Sequence, residues 1–464
     1  MGKNVKRLDK LYQMLIKVGP VARSPKLQYG LGCLFALLSS FAHSEEGVIN
    51  GHVGFLSNQI NSDVGDVPGN RFITNAAFDY KKMPQDPEVR EATRRLTLAT
   101  QLNDQSYLQF SVQEAYLGGN LTDKDSMKFG RHLLEWSPID QTWGFGKLNN
   151  RRNFDFFEPG QEGLTGISYE HKGSNGMRYR LFGSGLYIPE MNPGFDINDK
   201  RKTIKCRSPW CDAPSSETEV QGSMKSIEYD VNYPKIGDVI FRYSVGYNLG
   251  WENKHWSFEQ YYIRKPENNL TTRVGVALNT IEDVVKAKID PQVYYQDFMG
   301  ANLKYRNQDL LMYVSGFASR PSSYPDGNKR ATDWTEIKTA KIKEDYMGGG
   351  ISKVNADYGY GFNYVARLSP FDRDKQSLAQ EPRWNQAVNV FLMKNFNKLT
   401  FSGDVKYDML TRDRLIMVRA FLNVTKNLLV NGGMSMIGTP KDGKSYWSPY
   451  TNNDSLYAGL RYIY

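Results

Sequence analysis

The last ten residues of the chain, 455–464, alternate between two kinds of side chain, as a β-strand does. One face of this strand is apolar, and it carries Leu456, Ala458, Leu460, Tyr462 and Tyr464. Free chain ends usually fray, so an apolar strand in this position predicts pairing with other strands. The fold must therefore supply backbone partners for this strand and an apolar environment for one of its faces.

The same alternation recurs upstream, over runs of about ten residues. Apolar side chains alternate with polar or charged ones over 239–251, 358–368, 399–409 and 416–424. Strands of soluble proteins average about five or six residues, whereas a tilted strand that crosses a membrane needs about 9–11. No run of about 18 apolar residues follows the N-terminal segment, which excludes membrane-spanning helices. The pattern predicts an all-β protein with long strands.

The segments between these runs are alternately short and long. The short ones are rich in Asn, Asp, Gly and Lys, as tight turns require, and they lie at 103–105, 172–176, 234–238, 306–309, 355–357, 396–398 and 425–427. Long polar segments lie at 189–223, 320–344, 369–385 and 439–454. This rhythm is typical of a transmembrane antiparallel up-and-down β-barrel. We predict a single barrel domain over 45–464 with about 18 strands, within 16–20, and an interior too wide for wall side chains to fill.

Residues 1–44 have the parts of a secretory signal peptide in their usual order. A basic lead precedes the apolar run 31–41, and Ala42 and Ser44 supply the small residues of a cleavage site. This segment holds seven of the 59 basic residues and one of the 50 acidic ones, so only +3 of the formal charge of +9 remains beyond it. That balance leaves no basic stripe for phosphates and excludes nucleic acid as a partner. We predict that residues 1–44 are removed on export.

Two cysteines lie beyond that segment, Cys206 and Cys211. They are five residues apart in a polar segment that contains Pro, and an exported chain reaches an oxidising compartment. The spacing predicts a small loop closed by a disulfide. A metal pair is the alternative, but no further Cys or His lies nearby, so we predict no metal site and no cofactor.

The tract 131–163 breaks the strand alternation and combines two Trp and three Arg with several carboxylates. Connections of this length are usually functional or disordered, and its aromatic content argues against disorder. We predict a loop folded into the barrel, whose charges form a constriction that sets the selectivity of a pore. The predicted constriction residues are Arg131, Arg151, Arg152, Asp155, Glu158 and Glu162. The alternative is an outside loop packed on its neighbours, with Trp136 and Trp143 as anchors or as platforms for sugar rings.

A second set of charges falls opposite the apolar faces of the strands. In a barrel these side chains would line water, whereas on the lipid face each would cost about 2–4 kcal/mol. The set consists of Arg178, Arg180, Arg242, Arg367, Arg419, Arg461, Asp404 and Asp408. Its excess of Arg indicates anionic solutes, and a solvated wall without a defined site is the alternative for any single residue.

Four histidines lie beyond residue 44, at His52, His132, His171 and His255. None of them has the spacing of a metal site or of a hydrolase motif. We therefore predict that the protein is not an enzyme.

The terminal strand resembles the C-terminal signal of Gram-negative outer-membrane β-barrels, with Tyr464 where Phe is usual. The architecture of 46–464 is similar to that of porins and of alginate-export and capsule-assembly barrels. The resemblance implies that Leu456, Leu460, Tyr462 and Tyr464 are read by the barrel insertion machinery. It also implies that outer-membrane lipid and lipopolysaccharide surround the protein.

From this resemblance we expect a channel that passes small hydrophilic solutes or a polysaccharide through the outer membrane. The alternative is a non-conducting barrel whose long extracellular loops bind a surface glycan or a partner.

Overall fold

A computed structural model describes most of the chain between residues 48 and 463. The described residues are 48–59, 70–82, 93–103, 108–152, 157, 160–190, 195–198, 203–206, 210, 215–322, 335–337, 343–371, 381–440, 445–451 and 453–463. The predicted signal peptide and the predicted site residues Asp155, Glu158, Cys211 and Tyr464 lie outside these ranges.

Strands dominate the described chain. In chain order they are β1 Val48–Gln59, β2 Asn70–Lys82, β3 Thr93–Asn103, β4 Leu108–Asn120, β5 Asp125–His132, β6 Asn150–Arg152, β7 Gly160–Glu162, β8 Leu164–Lys172, β9 Met177–Ser184, β10 Phe195–Asn198, β11 Thr203–Cys206, β12 Glu217–Val220, β13 Ser223–Val231, β14 Ser244–Glu252, β15 Trp256–Pro266, β16 Thr271–Asn279, β17 Val284–Gln292, β18 Tyr295–Asn307, β19 Leu310–Pro321, β20 Thr335–Ile337, β21 Glu344–Val354, β22 Tyr358–Arg367, β23 Gln386–Phe396, β24 Leu399–Asp408, β25 Arg414–Asn423, β26 Leu428–Gly438 and β27 Ser455–Ile463. The helices are α1 Pro138–Trp143, α2 Ile236–Ile240 and a 3-10 turn at Ser448–Tyr450. Within the described ranges, no helix has both the length and the apolar character needed to cross a membrane.

Eighteen of these strands form one sheet in which every pair is antiparallel. Neighbours in the sheet follow the chain: β1 to β5, then β8, β9, β14, β15, β18, β19 and β21 to β27. The first strand pairs with the second and also with the last, so that Asn50 lies opposite both Asp79 and Ile463. The all-β antiparallel fold predicted from the alternation is confirmed.

Short connections gather at one edge of this sheet, which we call the short-turn edge. They are 121–124, 173–176, 253–255, 308–309, 355–357, 397–398 and 424–427. The two-residue turns hold Gln308 at φ 47° and Asn397 at φ 57°, the left-handed conformation that tight hairpins favour. The opposite edge, the long-loop edge, carries the connections 133–163, 185–243, 267–294, 322–343, 368–385 and 439–454.

Three expectations about connections were wrong in detail. The short segment 234–238 is not a hairpin turn, because it leads into α2. The strand expected over 239–251 begins only at Ser244, since Phe241 N donates to Gly237 O at 3.3 Å and continues the helical turn. The short connection near 103–105 follows β3 at the long-loop edge.

The two faces of the large sheet differ in exposure. The outer face presents exposed apolar side chains on successive strands, among them Phe129, Ile167, Leu181, Leu249, Phe258, Leu303, Val314, Ile351, Phe362, Leu392, Val405, Val418, Met434, Leu456 and Leu460. On the inner face, most of the described side chains are buried or half-buried. In β14, Val245, Leu249 and Trp251 are exposed, whereas Ser244 and Asn248 on the other face are buried.

Smaller sheets lie among the long connections. Strands β12, β13, β17, β16 and β20 form a five-stranded sheet in which β13 and β17 are parallel. Strands β10 and β11 pair with each other, and so do β6 and β7. These strands come from the connections 133–163, 185–243, 267–294 and 322–343, so the long-loop edge carries its own ordered structure.

Candidate functional site

The 131–163 tract leaves and rejoins the sheet at one place. Gly130 has φ 123°, a conformation that glycine tolerates, and a Cβ there would meet the backbone of Ala115. The chain returns through Gly163, where a Cβ would collide with the backbone of His132. Arg131 then pairs with Thr165 of β8. The tract therefore connects the neighbouring strands β5 and β8, and its two ends lie side by side in the sheet.

Helix α1 and the turn after it form the compact centre of the tract. Ser137 caps the helix by accepting from Asp140 N at 3.4 Å, Pro138 begins it, and Gly144 ends it at φ 60°. The buried Asp140 carboxylate accepts from the backbone N–H groups of Lys147 at 2.9 Å and Leu148 at 3.0 Å. Burial raises the pKa of Asp140, while these hydrogen bonds and the nearby Lys147 ammonium oppose the rise.

The apolar side of the tract packs on the inner face of the sheet. Its most buried members are Trp136, Ile139, Trp143 and Leu148, each at most 2% exposed. They belong to one cluster with the inner-face side chains Phe298, Phe317, Tyr346, Val365, Ala387, Leu415 and Met417. A Cβ at Gly348 would approach Ile139 Cδ1 to 2.9 Å, so glycine is required for this close approach. Each large apolar side chain buried in this way contributes about 1.5–3 kcal/mol.

Polar side chains of the sheet and of the long connections hold the backbone of the tract. They donate to carbonyls that have no strand partner: Asn302 Nδ2 to Trp136 O at 2.6 Å, Gln296 Nε2 to Lys147 O at 3.3 Å, Asn268 Nδ2 to Asn149 O at 3.0 Å, Arg383 to Gly144 O at 2.9 Å and Trp384 Nε1 to Trp143 O at 3.2 Å. These donors come from β18 and from two long connections, so the tract is fixed from several sides.

Aromatic side chains from other connections cover the tract at the long-loop edge. Trp143 meets Trp384 edge-on at 5.6 Å between ring centroids, and Trp384 lies 5.4 Å from Trp447. The Arg383 guanidinium lies 4.9 Å from the centroid of Trp447, whose Nε1 donates to Arg383 O at 3.1 Å. Burial lowers the pKa of Arg383 to about 10. Trp136 and Trp143 are anchors, and their burial leaves no ring face for a sugar.

The described members of the predicted constriction are held in buried ion pairs. Arg131 donates to Glu162 at 2.7 Å, and Arg151 lies 3.3 Å from Glu190. Of Arg152 only the backbone is described, in β6. These pairs join the two ends of the tract to each other and the tract to the 185–243 connection. Glu190 was missed because nothing in the sequence ties a loop carboxylate to an arginine that lies far from it along the chain.

A compact charged cluster lies on the inner face nearer the short-turn edge. Glu259 of β15 is only 2% exposed, and three cations from β9 and β18 surround its carboxylate. Arg178 and Arg180 of β9 both donate to it, Arg180 at 2.5 Å, and Lys304 of β18 donates at 3.3 Å. Arg180 also donates to Asn248 at 3.1 Å. The predicted residues Arg178 and Arg180 are thus brought together around a carboxylate that the sequence did not single out.

Of the other predicted inner-face charges, four lie on the inner faces of their strands. Arg367, Arg419, Arg461 and Asp404 occupy positions on the inner faces of β22, β25, β27 and β24, opposite the exposed apolar side chains. Asn389 donates to Asp404 at 2.8 Å.

Two of the predicted lining residues differ from this group: Arg242 lies outside the strands, and Asp408 ends β24 on the same face as Asp404 but is buried. Arg242 precedes β14 and donates from Nε to Asp238 O at 2.9 Å, so it belongs to a loop and not to the wall. Asp408 is buried and accepts from the backbone of Asn385 at 2.6 Å and of Leu410 at 2.9 Å. It ties two long-edge connections together.

Two further predicted features fall partly or wholly outside the described residues. The backbone of Cys206 lies in β11, and Cys211 is outside the described ranges, so the disulfide stays a prediction. In β27 the exposed Leu456 and Leu460 share the outer face, and the side chain of Tyr462 is outside the described part.

Substituting Asp140 by Ala is expected to loosen the centre of the tract. The N–H groups of Lys147 and Leu148 would lose their acceptor, at about 1–3 kcal/mol for each buried donor left unpaired. Hydrogen exchange of peptides that cover 137–148 should then be at least about tenfold faster, since 1.4 kcal/mol corresponds to a factor of ten. Asp283→Ala, in the β16–β17 turn, is the control and should leave these peptides unchanged. Equal exchange in the two variants would show that Asp140 does not hold the tract.

The fold and the site define an all-β protein whose large antiparallel sheet has an apolar outer face and an inner face that holds an ordered tract. The sequence matches no protein-family model and no curated protein. Solved structures with a similar course of the chain include a triple mutant of the porin from Rhodopseudomonas blastica, at 9% identity and a TM-score of 0.39, covering 90% of this chain and all of that one. OccAB3 from Acinetobacter baumannii is similar at 10% identity and a TM-score of 0.45, covering 90% of this chain and 98% of that one. The pairings and the two faces of the sheet define the fold.

Proposed function

We propose that the large sheet is an 18-stranded transmembrane barrel in the outer membrane and that it acts as a channel for small hydrophilic solutes. The pairing of β1 with both β2 and β27 supports closure, because it gives every strand of the sheet a neighbour on each side. A closed sheet leaves no open edge, which is the condition for strands to cross a lipid bilayer. The outer face would then contact lipid, and the inner face would enclose the lumen.

The single observation that carries this proposal is the contrast between the two faces. Soluble monomers rarely expose contiguous apolar patches of more than a few hundred Å². Here Leu249, Leu303, Val405 and Leu456 belong to an exposed apolar face that continues across the sheet. Water would make such a surface costly, at about 25 cal/mol per Å², whereas the hydrocarbon core of a membrane makes it favourable.

The 131–163 tract is the proposed constriction of this channel. It packs on one side of the lumen, against the apolar inner-face residues of β18 to β25, and the cover from the long connections keeps it there. Arg131, Arg151 and Glu162 act in this proposal as anchors, because their buried ion pairs leave them little contact with solute. Solutes would pass along the rest of the inner face, where the side chains are polar.

The charge on this polar part of the inner face favours the passage of anions. Arg178, Arg180 and Lys304 surround the buried Glu259, and Glu170 and Glu252 lie 4.0 and 3.6 Å from Arg178. With Arg367, Arg419 and Arg461 set against Asp404, these inner-face groups comprise six cations and four carboxylates. Positive charge lining a narrow aqueous path raises the local concentration of anions. Passage of a polysaccharide and glycan binding by a non-conducting barrel gain no support from the buried tryptophans.

Planar bilayer recording tests the function. Refolded protein, free of residues 1–44, should produce discrete conductance steps in 1 M KCl, and its reversal potential in a KCl gradient should lie on the anion-selective side. A folded and inserted sample that gives no steps would overturn the channel proposal. Steps with cation selectivity would overturn only the assignment of anions.

Replacing Glu259 by Gln should make the channel more anion-selective. The variant removes the one carboxylate that faces Arg178, Arg180 and Lys304 together. One unit of charge at about 7 Å in an aqueous path changes an ion's energy by about 0.6 kcal/mol, with opposite sign for anions and cations. The ratio of anion to cation permeability should therefore rise about sevenfold. Glu259→Asp keeps the charge and is the matched control. An unchanged ratio in the Gln variant would place the permeation path away from this cluster.

A further inference from the structure

The segment between the five-stranded sheet and β14, residues 233–243, exposes large apolar side chains outside the strands of the barrel. Tyr233 is 77% exposed, Ile236 76% and Phe241 68%. Helix α2 lies in this segment, and its buried residue Val239 is the side chain that faces the protein. Three large apolar groups within nine residues are costly in water, so their exposure calls for an apolar environment.

This segment is held firmly at the rim of the sheet. Tyr187 N donates to Ile240 O at 2.8 Å, and Val239 is buried, so the segment contacts the rest of the protein. Within the segment, Arg242 Nε donates to Asp238 O at 2.9 Å. The apolar side chains are therefore presented by an ordered structure with its own contacts to the protein.

The segment is continuous with the outer face of the barrel wall. It runs directly into β14, whose outer side chains Val245, Leu249 and Trp251 are exposed. At the junction the ring of Tyr243 lies 4.9 Å from that of Tyr295, at the start of β18. The Arg264 guanidinium lies 5.8 Å from the centroid of Tyr295. Aromatic rings mixed with cations are typical of the boundary between lipid tails and headgroups.

We propose that residues 233–243 are an in-plane anchor in the outer leaflet of the membrane, with Tyr233, Ile236 and Phe241 among the upper acyl chains. Lys235 and Arg242 lie at the headgroup level, where anionic lipid groups attract them. The partner is thus lipid. Continuity with the lipid-facing wall favours lipid over a protein partner or a second copy of this chain. The inference rests on the proposed barrel.

Depth-dependent quenching tests the anchor. Single cysteines are introduced by Ile236→Cys, Leu249→Cys and Ile281→Cys in a Cys206→Ser/Cys211→Ser background and labelled with a bimane fluorophore. Leu249 reports the wall, and Ile281, which is 94% exposed in the β16–β17 turn, is the matched extramembranous control. In vesicles of phosphatidylcholine brominated high on the acyl chain, the label at 236 should be quenched to within about twofold of that at 249. The label at 281 should stay unquenched.

The three positions separate failure of the anchor from failure of the barrel. Quenching at 249 without quenching at 236 would overturn the anchor and leave the barrel standing. Absence of quenching at 249 would overturn the barrel proposal and the anchor with it. Equal quenching at all three positions would also overturn the anchor, because the segment would then lie no closer to lipid than an exposed turn. A label at 236 that is unquenched by lipid but shielded as the protein concentration rises would point to a second copy instead.

Discussion

Replacing residues 137–148 with a short Gly-Ser linker is expected to raise the single-channel conductance roughly two- to fivefold, because an 18-stranded wall encloses more space than its own side chains fill. The replaced residues comprise α1 and the Asp140-capped turn after it. They also include Phe145, whose ring lies 5.6 Å from that of Phe317 and 4.3 Å from that of Tyr346. Conductance follows the cross-section of the narrowest aqueous segment, so removing the packed centre of the tract should widen that segment.

The matched control replaces an equal number of residues, 323–334, in a long connection outside the tract. It should leave the conductance unchanged within about 20%, since the barrel wall and the constriction are intact. Both variants must retain heat-modifiable mobility on gels, which reports a folded barrel. A folded 137–148 variant with wild-type conductance would show that the tract does not limit the current.

Substituting Val405 by Lys should destabilise the inserted protein by about 2–4 kcal/mol, which is the cost of a lysine on the lipid face near the middle of a bilayer. Val405 lies in the middle of β24 on the exposed outer face. Its partner in β25 is Ile416, and its partner in β23 is Val390. The new ammonium would therefore be surrounded by apolar side chains and lipid. Urea unfolding in vesicles measures the change in the free energy of unfolding.

The control on the same strand is Ser402→Lys. Ser402 is half-buried on the inner face beside Arg419 and Met393 of the neighbouring strands, where water would solvate the charge. We expect a change below about 1 kcal/mol for this variant, because a lysine in an aqueous lumen is not desolvated. Equal costs at the two positions would argue against a membrane on one side and water on the other.

Sequence alternation predicted the fold best where the inner face is polar. In β24 and β25 the apolar positions Val405 and Val418 are exposed outward, and the polar positions Asp404 and Arg419 lie on the opposite face. The alternation weakens where the tract packs on the wall, because the inner face there is apolar as well. Phe298 and Val365 are examples of inward apolar residues.

The contacts of the candidate site could not be predicted from the sequence. The unusual composition of 131–163 identified the tract, and its contacts with inner-face side chains follow from packing that no local pattern encodes. Arg151 pairs with Glu190, and Arg178 and Arg180 share Glu259. These partners depend on strand register and loop placement, which join residues far apart in the chain. For the same reason, α2 was not foreseen in a segment whose alternation suggested a strand.

A cysteine scan along the half of β25 nearer the short-turn edge tests most directly whether the sheet is a barrel wall with lipid outside and water inside. Residues 418 to 423 are replaced by Cys one at a time, in the Cys206→Ser/Cys211→Ser background, in protein inserted into vesicles. A water-soluble, membrane-impermeant thiol reagent should modify positions 419, 421 and 423, which face the lumen. Positions 418, 420 and 422 should be protected by lipid, and they should become reactive when the protein is unfolded. A barrel wall with lipid outside and water inside requires this period of two. Uniform reactivity, or protection of the positions occupied by Arg419 and Phe421, would contradict the account.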